Sequence, residues 1–68
     1  MIEKGTYRHF KGNRYEVLFT AKDCDDESEV VVYKALYGDN QIWVRKAEEF
    51  CGTVTRNGKT FKRFEKVD

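Results

Sequence analysis

Several features are scarce or missing in this chain of 68 residues. It has no proline, one histidine and two cysteines, and no apolar run approaches the roughly 20 residues that span a bilayer. One histidine and two cysteines cannot supply a closed Cys/His zinc site without carboxylate help, so we expect no metal, and the short length disfavours an embedded cofactor. The short length also excludes a second hydrophobic core, and residues 1–68 are predicted to form a single domain.

The amino-terminal segment lacks the pattern of a signal peptide, because Glu3 and Lys4 interrupt its apolar residues. A cytoplasmic protein is therefore predicted. In that compartment Cys24 and Cys51 are expected to be free thiols rather than a disulfide. The acidic neighbours of Cys24 disfavour a reactive thiolate, and Cys51 is expected to be a small core residue.

Charge of one sign is not in excess, since 13 basic side chains face 12 acidic ones, but the charges are unevenly distributed. Residues 1–22 and 52–68 each carry a net charge of +3, residues 23–29 carry −5, and residues 30–51 are neutral. The near-neutral total disfavours long-range attraction to nucleic acid or membranes, so any electrostatic function should be local. The acidic segment departs from the EF-hand pattern at its glycine and glutamate positions and is predicted to be a solvated loop.

Apolar and aromatic residues are present in the short alternating segments that are typical of β-strands. Residues 14–21 predict a strand, and one of its faces is expected to carry Tyr15, Val17, Phe19 and Ala21. The β-branched and aromatic run at 30–37 predicts a central strand that forms a hairpin with residues 41–45. Asn57 and Gly58 favour a type I′ turn between two further strands.

The number and spacing of these segments predict the fold class. Five or six short antiparallel strands, with turns every eight to twelve residues and no long helix, indicate an all-β fold built as a small barrel or a strongly curled sheet. Residues 46–50 contain helix formers but cover only about one turn, so a 3₁₀ turn is predicted there.

His9 is the single candidate for acid–base chemistry by an imidazole. Strand alternation places Arg8 and Phe10 on the opposite face from His9. A catalytic base also needs a nucleophile and an orienting group, and the sequence shows neither. A hydrogen-bonded structural histidine at the edge of the sheet is therefore favoured, with ligand binding as the alternative.

Aromatic rings mixed with arginines are the remaining candidates for a binding site. Such side chains can stack on bases, recognise peptides or capture anions. The alternative is core packing, because Tyr and Trp fill the interior of a small domain while their polar tips reach its rim. The set comprises Tyr7, Phe10, Tyr33, Tyr37, Trp43 and Phe64, together with Arg8, Arg45 and Arg63.

Several blocks of sequence occur in a specific order, namely residues 5–12, 15–18, 31–38, 43–45, Phe50 and 63–64. In these blocks the chain resembles the prokaryotic domain-of-unknown-function family sixteen fifty-three, which has no assigned activity. The resemblance implies a small bacterial protein with an SH3-like β-barrel. Two departures from the family pattern are Lys46, where proline is usual, and the segment 22–28, where a histidine-containing stretch is usual. The matching candidates for ligand binding are Tyr7, Arg8, His9, Tyr33, Tyr37, Trp43, Arg45 and Arg63.

Three functions remain open at this point. The favoured one is a non-catalytic binding module whose aromatic and arginine groove takes a peptide, an anion or a nucleic acid, with a protein or peptide partner preferred because the chain is near neutral. The second is a small enzyme or enzyme accessory that acts on a phosphorylated substrate through His9 and arginines. The third is a homodimer formed through an open edge strand at Thr6–Phe10, so that the protein is either a monomer or a weak dimer.

Overall fold

The computed structural model describes residues 2–68, which form seven strands and one short helix. The elements are β1 (Gly5–His9), β2 (Arg14–Lys22), β3 (Glu29–Ala35), β4 (Ile42–Lys46), α1 (Ala47–Phe50), β5 (Thr53–Arg56), β6 (Lys59–Lys62) and β7 (Phe64–Lys66). The predicted all-β class is confirmed. The strand count exceeds the expected five or six because the last predicted strand is divided at Arg63 into β6 and β7, which join different sheets.

Two antiparallel sheets contain all of these strands. The larger has the order β4-β3-β2-β1-β7, and the smaller is the hairpin β5-β6. Within residues 2–68 no strand pairing joins the two sheets into a closed ring. The SH3-like arrangement thus stays a prediction from the resemblance. None of the helices in these residues is long and apolar enough to cross a membrane.

Strand β1 lies inside the large sheet and not at its edge. It pairs with β2 on one side and with β7 on the other, where His9 is opposite Phe64. The prediction that Thr6–Phe10 forms an open edge is therefore wrong, because the carboxyl-terminal strand occupies that position. The edge strands of this sheet are β4 and β7. The prediction of a central β3 is confirmed by its pairing with β2 and β4.

A β-bulge in β2 changes which side chains share a face. Val17 is opposite Tyr33, whereas Phe19 is opposite Val32, so the register shifts by one residue between Val17 and Phe19. An extra residue in one strand turns the side chains that follow it to the other face. The prediction that Phe19 and Ala21 share a face with Tyr15 and Val17 is wrong for this reason, and Phe19 is 52% exposed.

One face of the large sheet, called the inner face below, carries the hydrophobic core. The buried core residues are Tyr7, Val17, Val31, Tyr33, Phe50 and Phe64. Phe50 comes from α1, which contacts β3 and β4 and covers part of the inner face. Its ring stacks on Phe64 with centroids 4.1 Å apart, and it meets Tyr7 and Tyr33 edge to face. Aromatic rings from distant parts of the chain thus hold the helix on the sheet.

The turn at α1 is α-helical and not the predicted 3₁₀ turn. Cys51 donates its backbone N–H to Ala47 at 3.0 Å, which is the i to i−4 bond of an α-helix. The next bond, from Gly52 to Glu49 at 3.1 Å, has 3₁₀ spacing, so the last turn tightens as helix ends often do. Cys51 is exposed, and its expected place in the core is wrong because Phe50 directs its own ring inward and turns the next side chain outward.

The hairpin turn between β5 and β6 agrees with its sequence. Arg56 is opposite Lys59, and the two residues between them, Asn57 and Gly58, have φ angles of 53° and 76°. A type I′ turn requires positive φ at both of its central positions, which asparagine and glycine tolerate best. The predicted turn is therefore confirmed in its location and in the sign of its φ angles.

Candidate functional site

An open cleft of about 260 Å³ lies at the end of the inner face. It is lined by Tyr15, Tyr33, Tyr37, Trp43 and Arg45, and this set is called the aromatic cleft below. Four of these five residues were predicted as ligand-binding candidates. A short chain has too little material to cover the whole inner face of a five-stranded sheet, so part of its aromatic surface remains open.

Strand register brings the cleft residues together. Trp43 on β4 is opposite Tyr33 on β3, and Arg45 is opposite Val31, so both β4 side chains share the inner face. Tyr37 follows the end of β3, where Gly38 has a φ of 58° and turns the chain back toward β4. Because side chains alternate along a strand, Trp43 and Arg45 lie on the inner face, and their neighbours in β4 lie on the other face.

The phenol groups and the guanidinium of the cleft contact one another. The hydroxyls of Tyr15 and Tyr37 share a hydrogen bond of 2.8 Å, and the rings of Tyr15 and Tyr33 meet edge to face at 5.3 Å. Arg45 donates from Nε to the Tyr33 hydroxyl at 3.4 Å, and its Nη1 lies 4.0 Å from a carboxylate oxygen of Glu49. These last two contacts are long, so Arg45 is only loosely held.

The walls of the cleft are exposed aromatic rings. Trp43 is 51% and Tyr37 is 44% exposed, whereas Tyr33 at the base is buried. Large aromatic side chains are usually more buried than this, so their open faces are available for contact. The cleft therefore combines apolar walls with one cation and several hydroxyl groups.

Tyr15 is expected to resist ionisation. Burial, followed by its hydrogen bond with Tyr37, raises the pKa of its phenol to about 12 from the usual 10.0. Since the neutral form is favoured in the folded state, this group contributes stability below pH 10 that is lost as the pH rises toward 12. The free energy of unfolding, measured in urea from pH 10 to 12, should fall more steeply for the wild type than for Tyr15→Phe, whose phenylalanine cannot ionise. A Tyr15 ring carbon resonance that titrates near pH 10 would contradict this expectation.

His9 lies next to the aromatic cleft but does not line it. Its Nδ1 accepts a hydrogen bond of 3.2 Å from the backbone N–H of Lys11. Its ring packs against Phe10 and Phe64, with centroids 4.4 Å and 4.9 Å away, and lies 6.2 Å from Tyr15. These contacts agree with a hydrogen-bonded structural histidine, but its predicted place at an edge is wrong because β1 pairs with β2 and β7 on its two sides.

The stability of the protein should depend on the protonation of His9. Burial, and then the positive charges of Arg45, Arg63 and Lys11, lower the pKa of the imidazole from 6.5. The unfolded chain therefore binds the proton first, and stability should fall as the pH drops from 6.5 through the lowered value. Because the chain has one histidine, NMR titration of its ring assigns the pKa directly. His9→Gln should lack this part of the pH dependence. If the free energy of unfolding changes equally with pH in the wild type and in His9→Gln, the predicted role of His9 is wrong.

The other predicted site residues do not join the cleft. Tyr7 is buried in the core, and its hydroxyl donates to the Glu3 carbonyl at 2.8 Å. Arg8 projects from the opposite face of β1, where it lies 3.5 Å from Glu65. Arg63 lies outside the cleft, and its Nε is buried without a hydrogen-bond partner among residues 2–68. The predicted set of eight is thus divided among the cleft, the core and the outer surface.

Tyr15 is the cleft residue that the candidate set missed. The sequence placed it on the core face of its strand with Val17, and no local signal distinguishes a tyrosine at the open end of a core from one at its centre. The pairing of Tyr15 with Tyr7 on β1 and with Ala35 on β3 shows its position in the sheet. That pairing is long-range information, which a single sequence does not contain.

The acidic loop places one ligand atom each from Asp23, Cys24 and Asp25 within 4.8 Å of one another. Its carboxylates already accept internal bonds: Asp23 accepts from the Asp25 amide at 2.8 Å, and Asp26 accepts from the Ser28 amide at 2.9 Å. Bonds from Ser28, and then from the Lys46 ammonium, lower the pKa of Asp26. The loop oxygens therefore stabilise the loop's own turns.

Comparisons with known proteins agree with this architecture. A family model described as "Protein of unknown function (DUF1653)" matches residues 5–66. A crystal structure of a DUF1653 protein from Bordetella bronchiseptica is 31% identical in sequence and has a TM-score of 0.87, covering 97% of this chain and 87% of that chain. A search of curated proteins gives no match.

Proposed function

The chain belongs to the DUF1653 family of proteins of unknown function, and we propose that it is a non-catalytic binding module whose aromatic cleft holds a carboxylate-bearing segment of a peptide or protein partner. The observation that carries this proposal is the convergence of Arg45 with four aromatic side chains on one open cleft. The cation provides an attachment point for an anion, and the rings provide apolar contact around it.

Arg45 has donor capacity to spare. A guanidinium group has five N–H donors, and the contacts of Arg45 with Tyr33 and Glu49 are both long. A carboxylate can accept two parallel bonds from one guanidinium, which is stronger and more specific than a contact with a point charge. The side chain of Arg45 is one-third exposed, so a ligand can reach it without a change in the fold.

The size of the cleft favours a short segment of a partner over a cofactor. Pockets for drug-sized ligands occupy about 300–1,000 Å³, whereas this cleft is smaller and open to solvent. One acidic side chain and an apolar neighbour are a suitable occupant. Trp43 and Tyr37 would then contact the apolar group while Arg45 pairs with the carboxylate.

The arrangement does not support the enzyme alternative. Nδ1 of His9 accepts a hydrogen bond from the backbone N–H of Lys11. Arg8 lies on the face of β1 opposite to His9. Arg8 therefore does not share a reacting centre with His9, and no nucleophile or orienting group is hydrogen-bonded to the imidazole among residues 2–68, although general acid–base catalysis would require such groups.

Trp43 provides an intrinsic reporter because it is the single tryptophan and lines the cleft. The test is a fluorescence titration with a blocked hexapeptide that contains one glutamate flanked by leucines. Its matched control is the same peptide with glutamine. The glutamate peptide should change the Trp43 emission saturably and bind at least about ten-fold more tightly, since a charge-assisted hydrogen bond contributes about 1.5–3 kcal/mol.

Two results would count against this function. Equal binding of the glutamate and glutamine peptides would show that Arg45 does not select an anion. A saturable response to inorganic phosphate that exceeds the response to the glutamate peptide would instead favour a small-anion site. NMR shifts confined to the cleft residues would verify where the peptide binds.

A further inference from the structure

A second surface, separate from the aromatic cleft, lies between the β1–β2 turn and the β5–β6 hairpin. It is a groove of about 570 Å³ lined by Arg8, Phe10, Lys11, Phe61, Lys62 and Glu65, and it is called the basic groove below. The aromatic cleft contributes no residue to it.

The fold brings the two basic ends of the chain together at this groove. Residues 1–22 and 52–68 each carry a net charge of +3, and they meet where β1 pairs with β7. The backbone N–H of Phe10 donates to the Arg63 carbonyl at 3.0 Å, which ties the β1–β2 turn to the segment after β6. A balanced total charge thus conceals a local concentration of cations.

Phe10 organises two of these cations. The Arg56 guanidinium lies 5.2 Å and the Lys11 ammonium 5.9 Å from the centroid of its ring. Both distances are within the range of cation–π attraction. The ring therefore holds charges from the β1–β2 turn and from the β5–β6 hairpin beside one another.

Phe61 is an exposed aromatic ring with no role in the core. It is 42% exposed, and every residue of β6 is exposed. An aromatic ring beside cations is the combination by which proteins bind single-stranded nucleic acids, because bases stack on the ring while phosphates pair with the cations. The hairpin presents this ring at the groove wall.

Acidic groups at the groove are few. Glu65 is the one acidic residue of the lining, and it lies 3.5 Å from Arg8 with both side chains more than half exposed. Such a surface ion pair is weak, so a phosphate can compete for Arg8. We propose that the basic groove binds single-stranded nucleic acid, with Arg8, Lys11 and Lys62 contacting phosphates and Phe61 stacking on a base.

The experiment measures the fluorescence anisotropy of end-labelled oligouridylate and oligothymidylate over a series of salt concentrations. We expect binding at low salt. As the salt concentration rises, log K of association should fall against log salt with a slope of about −2, as expected for three phosphate contacts on a single strand. Tighter binding of the RNA or of the DNA identifies the source of the strand, and either result with this slope supports the proposal.

Substitutions separate charge from stacking. Lys11→Ala and Lys62→Ala should each reduce the magnitude of the slope by about 0.7. Phe61→Leu should weaken binding about five-fold or more and leave the slope unchanged, since loss of stacking on one base costs about 1–3 kcal/mol. Lys22→Ala is the matched control: it removes the same charge at the far end of β2, about 26 Å from Arg14, and should change nothing.

Several outcomes would overturn the proposal. The first is the absence of oligonucleotide binding at low salt. The second is a loss of affinity in Lys22→Ala equal to the loss in the groove variants. The third is displacement of the oligonucleotide by polyglutamate as effectively as by unlabelled oligonucleotide. The last result would show that the groove selects negative charge alone. Loss of binding in Arg45→Gln with the groove variants unaffected would move the site to the aromatic cleft. Circular dichroism of each variant verifies that it is folded.

Discussion

Replacing Phe50 with alanine is expected to leave the protein largely unfolded at 25 °C. The ring is 2% exposed and contacts Phe64, Tyr7 and Tyr33, so its removal takes away the contact that holds α1 on the sheet. Truncation of a buried phenylalanine costs about 3–5 kcal/mol, and a single core in so short a chain rarely provides more than about 3–5 kcal/mol in total. Loss of dispersion in the amide NMR spectrum and of near-ultraviolet dichroism would report the unfolding.

Phe61→Ala is the matched control for this experiment. The chemical change is the same, but the ring lies on an exposed strand, so stability should change by about 1 kcal/mol or less. Urea unfolding of the two variants beside the wild type gives the comparison. A folded Phe50→Ala variant with a midpoint near that of the wild type would mean that α1 is not needed to complete the core.

Arg45→Gln should weaken binding of the glutamate peptide by about 10- to 100-fold. Glutamine keeps the capacity to donate a hydrogen bond but loses the charge and the two parallel donors of guanidinium. Arg45→Lys should be intermediate, because lysine keeps the charge without the planar fork. The Trp43 emission measures the dissociation constant in each case.

Arg14→Gln controls for the general effect of removing a positive charge. Arg14 is exposed at the start of β2, on the face opposite to its neighbour Tyr15, and is not part of the cleft. Its substitution should leave peptide affinity within about two-fold, as expected for a screened surface charge. Equal losses in the Arg14 and Arg45 variants would show that net charge, and not the cleft, determines affinity.

Local signals in the sequence were sufficient for some of the fold. The type I′ turn at Asn57 and Gly58 depends on two adjacent residues, and the β3–β4 hairpin depends on neighbouring segments, so both could be predicted. The bulge between Val17 and Phe19 could not, because it is defined by the partner strand. The interior position of β1 depends on β7, which lies at the other end of the chain.

The candidate site was predicted only in part for a similar reason. Tyr33, Tyr37, Trp43 and Arg45 converge because β3 and β4 are adjacent in sequence and pair in simple register. Alternation had already placed Arg8 on the opposite face from His9, which made one common site for both inconsistent with the strand assignment. The basic groove could not be predicted from the sequence, because it forms only when two distant segments pair in the tertiary structure. Each segment has an ordinary charge on its own.

Pairing between β1 and β7 also determines when the protein can finish folding. His9 and Phe64 come from opposite ends of the sequence, and Phe64 stacks on Phe50 in the core. Contacts between distant residues form slowly, because the chain must close a large loop before they are gained. During synthesis β1 to β4 can pair first and α1 can then cover part of their inner face, but the core stays incomplete until β7 supplies Phe64. The nascent chain therefore passes through a stage in which the ring of Phe50 lacks its stacking partner and the aromatic core is only partly closed.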